Sequence, residues 1–570
     1  MQLSHRAYSP IDAMKLVREG CSPILARVLA GRGIKSKSEL AGDLGRLHHH
    51  SLLKGAAEAA EFLADAILLK RKLVVVADYD CDGATACAIA VRGLRAFGAD
   101  VTYLVPDRMV HGYGLTPSVV DLAMENPGTP EVLLTVDNGI ASHAGIAHAK
   151  SLGLDVVVTD HHLPSKVLGL PNAEVIVDPS QPGCDFPSKA LAGCGVIWYV
   201  LWALQDELRR RDRPIAPGFK VSSLLPLVAV GTVADVVALD HNNRVLIQAG
   251  LDKIRAGEVF PGIEALATAG AFNRCDPRAL VTTDIAFGIG PRINAAGRLE
   301  SMAIGIECLL SDEAAHAEAL AERLDTINQE RRQIEYDTID DAVKQAMALI
   351  VEGRQSIVVH HPEWHAGVIG IVAGRIKEKR YRPTFVLTTA DSGEIKGSGR
   401  SIPGFNLKDA LDMVDKLCPG LMVKFGGHAM AAGVTLKAGG VAEFQRAFEE
   451  VACELLTDEI LNQKVEVDGS LAGHDFSPAT ARKLRVPVWG QGFPEPAFCD
   501  TFYVQSAKIT GIFKDQLNMT LERDGCELQA TRFRHEGPIP EGSVKLVYKL
   551  NLTVDPKGRE VVKLLVDHIL

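Results

Sequence analysis

Val74-Val75-Val76-Ala77-Asp78-Tyr79-Asp80-Cys81-Asp82-Gly83 joins an apolar run to three carboxylates at alternate positions, and the small residues Ala84-Thr85-Ala86 follow directly. A run of valines without polar alternation reads as a strand buried on both faces. Three carboxylates crowded at its end repel one another, an arrangement that makes best sense around cations. A surface turn also tolerates several Asp residues, so the segment alone leaves both readings open.

Repetition favours the cations. Val132-Leu133-Leu134-Thr135-Val136 ends in Asp137-Asn138-Gly139, and Val156-Val157-Val158-Thr159 ends in Asp160-His161-His162. Pro226-Leu227-Val228-Ala229-Val230-Gly231-Thr232-Val233-Ala234 leads to Asp235. Separated by helix-length segments, these runs predict central strands of a parallel sheet. Chemistry in open α/β sheets gathers outside the carboxyl ends of the strands. Four acidic segments at one sheet edge therefore predict a metal site.

Composition sets wider bounds. A chain of 570 residues suggests three or four domains at roughly 150 residues each. Apolar content of 47% with only 5% aromatic residues fits an aliphatic, helix-and-parallel-strand protein. The net charge of −10 argues mildly against polyanion binding over the whole surface, yet basic residues gathered in a groove would suffice for nucleic acid. The 11 cysteines include no C-x-x-C pair, which points away from a disulfide framework or zinc knuckle and leaves Cys81 as a small buried residue. The amino terminus lacks an apolar signal core, and no segment reaches roughly 18 uninterrupted apolar residues. The expectation is a cytoplasmic protein with no membrane contact.

The chain divides by pattern. Residues 1–72 read as an accessory helical region, with an apolar stripe over Ala57–Leu69, and 73–313 as the strand-and-helix domain. In 314–350, Leu320, Leu324, Ile327, Ile334 and Val343 recur near helical spacing among Glu322, Arg323, Glu330, Arg331 and Arg332. This predicts a long solvated connector helix whose charges form a wet face. A second α/β domain over 351–460 carries two glycine-rich segments read as loops, Lys396-Gly397-Ser398-Gly399-Arg400-Ser401 and Phe425-Gly426-Gly427-His428-Ala429-Met430-Ala431-Ala432-Gly433. In 461–570 the alternation of Val544, Leu546, Tyr548, Leu550 and Leu552 with Lys545, Val547, Lys549, Asn551 and Thr553, and a turn at Lys557-Gly558, predict a small β-barrel of the oligonucleotide-binding (OB) type. Phe513, Phe533 and Tyr548 would offer stacking faces beside Lys514, Arg532 and Lys549, or would simply be core.

A mixed Asp and His ligand set fits Mg²⁺ or Mn²⁺, with His tilting the preference toward Mn²⁺. Two such ions roughly 3.5–4 Å apart stabilise both the attacking and leaving oxygens of an in-line phosphoryl displacement. Neighbouring side chains at a strand end point apart, so one His of Asp160-His161-His162 can ligate while the other reaches substrate or a supporting partner. The run His48-His49-His50, with no such context, reads as surface.

Taken together, Asp78-Tyr79-Asp80-Cys81-Asp82-Gly83, Val136-Asp137-Asn138-Gly139, Asp160-His161-His162 and Gly231-Thr232-Val233-Ala234-Asp235 resemble, in order and spacing, the four motifs of the DHH phosphoesterase family. Gly426–Gly433 resembles the signature of the associated DHHA1 domain. Cys81 departs from the small residue, such as Ala, expected in relatives. Within the family the chain is similar to the single-strand-specific DNA exonucleases that work from the 5′ end. Three segments narrow it: Pro106-Asp107-Arg108 with His111-Gly112-Tyr113-Gly114, Gly290-Pro291-Arg292-Ile293-Asn294-Ala295-Ala296-Gly297-Arg298, and Trp364-His365-Ala366-Gly367-Val368-Ile369-Gly370-Ile371-Val372-Ala373-Gly374-Arg375.

The resemblance implies an α/β architecture: a parallel-sheet DHH domain joined by a long helix to a DHHA1 domain, plus a C-terminal OB-like β-barrel. It implies that Asp80, Asp82, Asp137, His161 and Asp235 ligate two Mn²⁺ or Mg²⁺ ions, with Asp78 a ligand or close supporter. Catalysis falls to His162, with Asp160; His162 contacts the scissile phosphate and helps protonate or steady the departing oxygen. Arg108, Arg292, Ser398 and Arg400 would hold phosphates near the 5′ end, or form interlobe salt bridges instead; His428 would bind phosphate, or pack or fix its loop. The implied reaction is 5′ to 3′ hydrolysis of single-stranded DNA to 5′-mononucleotides in repair and recombination. A nuclease of short oligonucleotides and an inactive DNA-binding scaffold are the alternatives. A single-strand-binding protein and a helicase are partners the tail could recruit.

Overall fold

The computed structural model describes every residue of 1–570 except 126–128, 166, 271–273, 352, 391, 512–514 and 556–557, with the side chains of 108, 109 and 351 also outside the description. The expectations for the side chain of Arg108, for Phe513 and Lys514, and for Lys557 thus lie outside the described residues. Contacts divide the chain into two compact units. The larger is His5–Gly297, Ser301–Asp325 and Glu466–Leu570; the smaller is Met1–Ser4, Arg298–Glu300 and Thr326–Val465.

In the larger unit, helix α1 (Ala56–Leu68) precedes strand β1 (Lys72–Ala77), helix α2 (Cys81–Ala96) and strands β2 (Asp100–Leu104), β3 (Val132–Val136), β4 (Asp155–Thr159) and β5 (Val175–Val177). The five strands form one parallel sheet in the order β2-β1-β3-β4-β5. Val74, Val75 and Val76 on β1, and all of β3, are buried, as parallel strands covered on both faces require. Helices α3 (Gly193–Arg210), α4 (Leu225–Ala234) and α5 (Gly290–Leu299) complete the part that surrounds the sheet's carboxyl edge.

The segment Pro226–Ala234, expected as a strand, is the helix α4. Leu225 to Thr232 are buried on every side, and an all-apolar run carries no period that separates a buried helix from a buried strand. Pro226 in the first turn, where no intrahelical N–H is needed, is the local feature that favours helix.

Helix α6 (Ala314–Val351) runs from the larger unit into the smaller. It is less solvated than its charges suggest. Ala317, Ala321, Leu324, Ile327, Ala342 and Ala346 are buried, and so is Arg331, expected on the wet face. Its guanidinium donates to Glu335 at 2.5 Å and to Asn328 at 2.7 Å.

In the smaller unit, strand β6 (Ile357–His360), helix α7 (Ile369–Arg380) and strands β7 (Thr384–Thr389), β8 (Ile395–Arg400), β9 (Met422–Gly427) and β10 (Ala431–Leu436) build a mixed sheet in the order β9-β10-β8-β7-β6. The two glycine-rich segments expected as loops are largely strand. Gly397 and Gly399 are small because a Cβ would meet Leu387 at 2.3 Å and Phe385 at 2.5 Å, the close approach that glycine permits inside a sheet.

Residues 498–569 close a barrel of β11 (Phe498–Thr510), β12 (Gln516–Arg523), β13 (Cys526–Arg532), β14 (Gly542–Val554) and β15 (Glu560–Ile569), in the order β11-β12-β13-β15-β14. Tyr548 is wholly buried and donates its hydroxyl to Asp500, so it is core rather than a stacking face; Phe533 is exposed. Among the described residues no helix is long and apolar enough to cross a membrane.

Candidate metal centre

Each acidic segment reaches the cluster by a different local device. Asp78 follows β1 and accepts the Tyr79 N–H at 2.8 Å, Asp80 caps α2 by accepting from the Gly83 N–H at 3.0 Å, and Asp82 lies in the first turn of that helix. Asp137 follows β3 with φ at 62°, a left-handed conformation that costs a non-glycine residue about 1–3 kcal/mol. It is held there because its N–H donates to the Thr159 carbonyl at 3.0 Å. Asp235 ends α4, its N–H donating to the Gly231 carbonyl.

These side chains converge. Ligand atoms of Asp78, Asp80 and Asp137 lie within 4.8 Å of one another, as do those of Asp82, His161 and Asp235, and those of Asp137, His161 and His162. His161 Nε2 lies 3.1 Å from Asp137 Oδ1, 3.7 Å from Asp235 Oδ2 and 4.0 Å from Asp82 Oδ2. Despite that proximity, Asp137 Oδ1 and Asp235 Oδ2 are buried with no hydrogen-bond partner. Orphaned carboxylate oxygens and an imidazole nitrogen facing one small volume are the donor set of a divalent cation such as Mn²⁺ or Mg²⁺. The residues present fit that group.

Electrostatics agree. Left to one another, burial and the Asp80 charge push Asp78 up to about 8, burial and Asp82 push Asp235 up to about 7, and burial raises Asp82 and Asp137. Carboxylates this desolvated and this close stay ionised only beside positive charge.

A second ring of contacts aims the ligands. Both Asp82 oxygens accept from the amino end of α3, from the Gly193 N–H at 2.6 Å and the Cys194 N–H at 3.0 Å, a placement the helix dipole favours. Asp160 is fully engaged: Oδ2 accepts from the Ile140 N–H at 2.9 Å, and Oδ1 from the N–H groups of His161 and His162 at 2.7 and 3.2 Å. His162 Nδ1 also lies 2.7 Å from Oδ1. Burial opposes charge on both members, yet this contact holds Asp160 below the usual carboxylate range and His162 up at about 10. Nε2 of His162 is left facing the Tyr113 hydroxyl at 3.2 Å.

The segment Gly290–Arg298 supports the same loop. Asn294 Oδ1 accepts from the Cys81 N–H at 2.8 Å, and a Cβ on Gly297 would fall 1.9 Å from the Tyr79 carbonyl oxygen. Arg292, expected to hold DNA, is buried at 2% exposure. It donates to Asp325 Oδ1 at 2.8 Å and to the Gly288 and Ala269 carbonyls at 2.9 Å each. A guanidinium so enclosed reaches no polymer. It forms a salt bridge, but one within the larger unit rather than between lobes as expected.

Ser398 and Arg400 lie two residues apart on β8, with Arg400 Nη1 donating to Ser398 Oγ at 3.1 Å. A Cβ on Gly370 would meet Ser398 Oγ at 2.9 Å and Arg400 Nη2 at 3.1 Å, so the first turn of α7 rests against both. His428 is exposed in the β9–β10 turn, where its N–H donates to the Ala431 carbonyl at 2.7 Å.

Several contributors escaped the sequence reading. Asp178 is buried at the end of β5 beside the cluster, where burial and Asp160 push it up to about 8. Val175-Ile176-Val177 before it repeats the apolar-run-then-Asp pattern and could have flagged it. Tyr113 sits in a quoted motif, but nothing local tied it to His162. Gly193 carried no signal at all. A Cβ there would fall 2.6 Å from Asp137 Cβ and Oδ1. Gly193→Ala is therefore expected to lose about 1–3 kcal/mol of stability and most of its divalent-cation affinity, measured by denaturant unfolding and by titration with Mn²⁺. Unchanged Mn²⁺ affinity would contradict this packing.

Comparison with known proteins gives the same picture. Residues 72–232 match the DHH family N-terminal domain, 353–454 the DHHA1 domain and 467–568 the RecJ OB domain. The chain is 42% identical to the single-stranded-DNA-specific exonuclease RecJ of Salmonella typhimurium, over 96% of each chain. It is 41% identical to that of Escherichia coli with the same coverage. RecJ of Thermus thermophilus in complex with Mn²⁺ superposes with a TM-score of 0.81 at 29% identity, covering 100% of this chain and 79% of that one. The Mg²⁺ complex gives 0.75 at 28%, covering 100% and 78%.

Proposed function

The chain belongs to the RecJ family of DHH exonucleases, and from that membership we propose the roles of its residues in the hydrolysis of single-stranded DNA. It is a metal-dependent, single-stranded-DNA-specific exonuclease. The observation that supports the site assignment best is the convergence of Asp78, Asp80, Asp82, Asp137, His161 and Asp235 with buried oxygens left unpaired.

Asp80, Asp82, Asp137, His161 and Asp235 hold two Mn²⁺ or Mg²⁺ ions, with Asp78 as a further ligand or close support. When bound, divalent cations neutralise a phosphodiester and lower the pKa of an attacking water. Asp160 fixes the His162 ring through Nδ1, so that Nε2 can hold a proton at the departing oxygen. Ser398 and Arg400, placed beside the first turn of α7, bind phosphate oxygens of the strand, with Arg108 and His428 as further phosphate contacts. The barrel also binds single-stranded DNA.

The polarity is 5′ to 3′, with release of 5′-mononucleotides during repair and recombination. A cytoplasmic setting suits the free cysteines. Single-strand-binding protein and a helicase are the partners this activity calls for. Digestion of single strands labelled at one end, in Mg²⁺ and in Mn²⁺, tests the reading: a 5′ label is expected to appear first as mononucleotide while the 3′ label stays in a shortening strand. Release of the 3′ label first, or faster turnover of di- to pentanucleotides than of long strands, would overturn it.

A further inference from the structure

A second group of potential ligands lies away from the catalytic cluster. His49 precedes, and His50 opens, a short turn over His50–Leu52, and Asp206 lies on α3. One nitrogen of each imidazole and one oxygen of Asp206 all fall within 4.8 Å of one another. His50 Nε2 is 3.2 Å from Asp206 Oδ2. A hydrogen bond between these two would account for that pair alone. It does not involve the second imidazole, whose ring centroid lies 4.1 Å from that of His50; His49 caps the turn through Nδ1 at the Ser51 N–H and brings a ring nitrogen into the same group.

The surroundings suit a metal ligand set. Trp202, one turn before Asp206 on α3, packs its edge against both imidazoles at 5.3 and 5.2 Å and limits where the rings can go. His49 Nδ1 faces Ser51, with the hydroxyl Oγ at 2.9 Å and the backbone N–H at 3.3 Å; in the tautomer that donates Nδ1–H to Oγ, Nε2 is left to ligate. His50 Nδ1 is buried with no hydrogen-bond partner.

We propose that His49, His50 and Asp206 form a second cation site selective for imidazole-preferring divalent metals such as Zn²⁺, with water completing the coordination. Two imidazoles and one carboxylate favour Zn²⁺ over Mg²⁺, in contrast to the oxygen-rich catalytic cluster. The site would tie the segment before α1 to α3, the helix whose amino end binds Asp82.

The test is equilibrium dialysis of metal-free full-length chain against micromolar Zn²⁺ in millimolar Mg²⁺, with thermal unfolding alongside. Wild type is compared with His49→Ala and with Asp206→Asn, all of which keep the catalytic cluster, so the difference between them counts this site alone. Both substituted side chains are partly or wholly exposed, and both variants should fold and digest single strands in Mg²⁺ at the wild-type rate. Each variant is expected to bind one Zn²⁺ fewer than wild type and to lose the part of the Zn²⁺-induced rise in Tm that the site supplies. Equal Zn²⁺ equivalents and equal Tm shifts in the three proteins would overturn the proposal.

Discussion

Asp137→Ala is expected to abolish hydrolysis of single-stranded DNA while single-strand binding survives. Asp137 belongs to two of the three ligand groupings, and its Oδ1 is one of the buried oxygens without a hydrogen-bond partner. Its loss therefore weakens both halves of the cation site at once. Removing a single preorganised electrostatic group from an active site costs roughly 10²–10³-fold in turnover, and a residue shared between two cation positions should cost at least that. Binding responds differently. Phosphate contacts along the strand supply most of the affinity, and deleting one negative charge beside a polyanion does not oppose it. Single-turnover digestion and fluorescence anisotropy on the same labelled strand separate the two effects. A second readout follows from linkage, because Mn²⁺ stabilises the folded chain by an amount that rises with the logarithm of its affinity. The Mn²⁺-induced rise in Tm should shrink sharply in the variant. Turnover near that of the unaltered protein would remove Asp137 from the catalytic site.

Arg292→Ala is expected to be the most damaging single change to stability, lowering the free energy of unfolding by about 3–5 kcal/mol, the usual cost of leaving one partner of a buried ion pair uncompensated. The guanidinium is 2% exposed and ties three elements together: Asp325 in the first turns of α6, the Gly288 carbonyl just before α5, and the Ala269 carbonyl. Removing it takes the guanidinium from the Asp325 carboxylate, itself 7% exposed, and one donor from each of two carbonyls. Replacing the pair together, as Arg292→Met with Asp325→Leu, should recover much of the loss, because the desolvated charge is then absent. The measurement is urea unfolding of the three proteins, with single-strand affinity determined under native conditions. A large loss of DNA affinity in a variant of wild-type stability would restore the DNA-contact reading of this arginine.

Arg292 also illustrates how far the linear chain could be read. The motif Gly290–Arg298 carries the family resemblance, but a guanidinium in a glycine-rich segment suits a phosphate and a buried aspartate equally well. The deciding partner, Asp325, lies 33 residues away on a different helix. Asp160 shows the same limit at short range. It stands in the triplet with two histidines, yet both of its oxygens are taken up by Ile140, His161 and His162, so it positions His162 rather than joining the ligand groupings. The misread of Pro226–Ala234 has another cause, since an unbroken apolar run contains no period. Asp235 still reaches the cluster, because the end of a helix can deliver a carboxylate as well as the end of a strand.

The linear chain was sufficient for the parallel sheet, the barrel and the identity of the carboxylates and imidazoles that gather, because burial on both faces and alternation leave local patterns of spacing. Folding alone settled which charged groups converge on one another and which are struts. That distinction depends on the contacts each polar atom makes with residues tens to more than a hundred positions away, as when Gly193 and Cys194 fix Asp82. No pattern over neighbouring residues encodes such a contact; it exists only once the hydrophobic core has brought the partners within hydrogen-bond range.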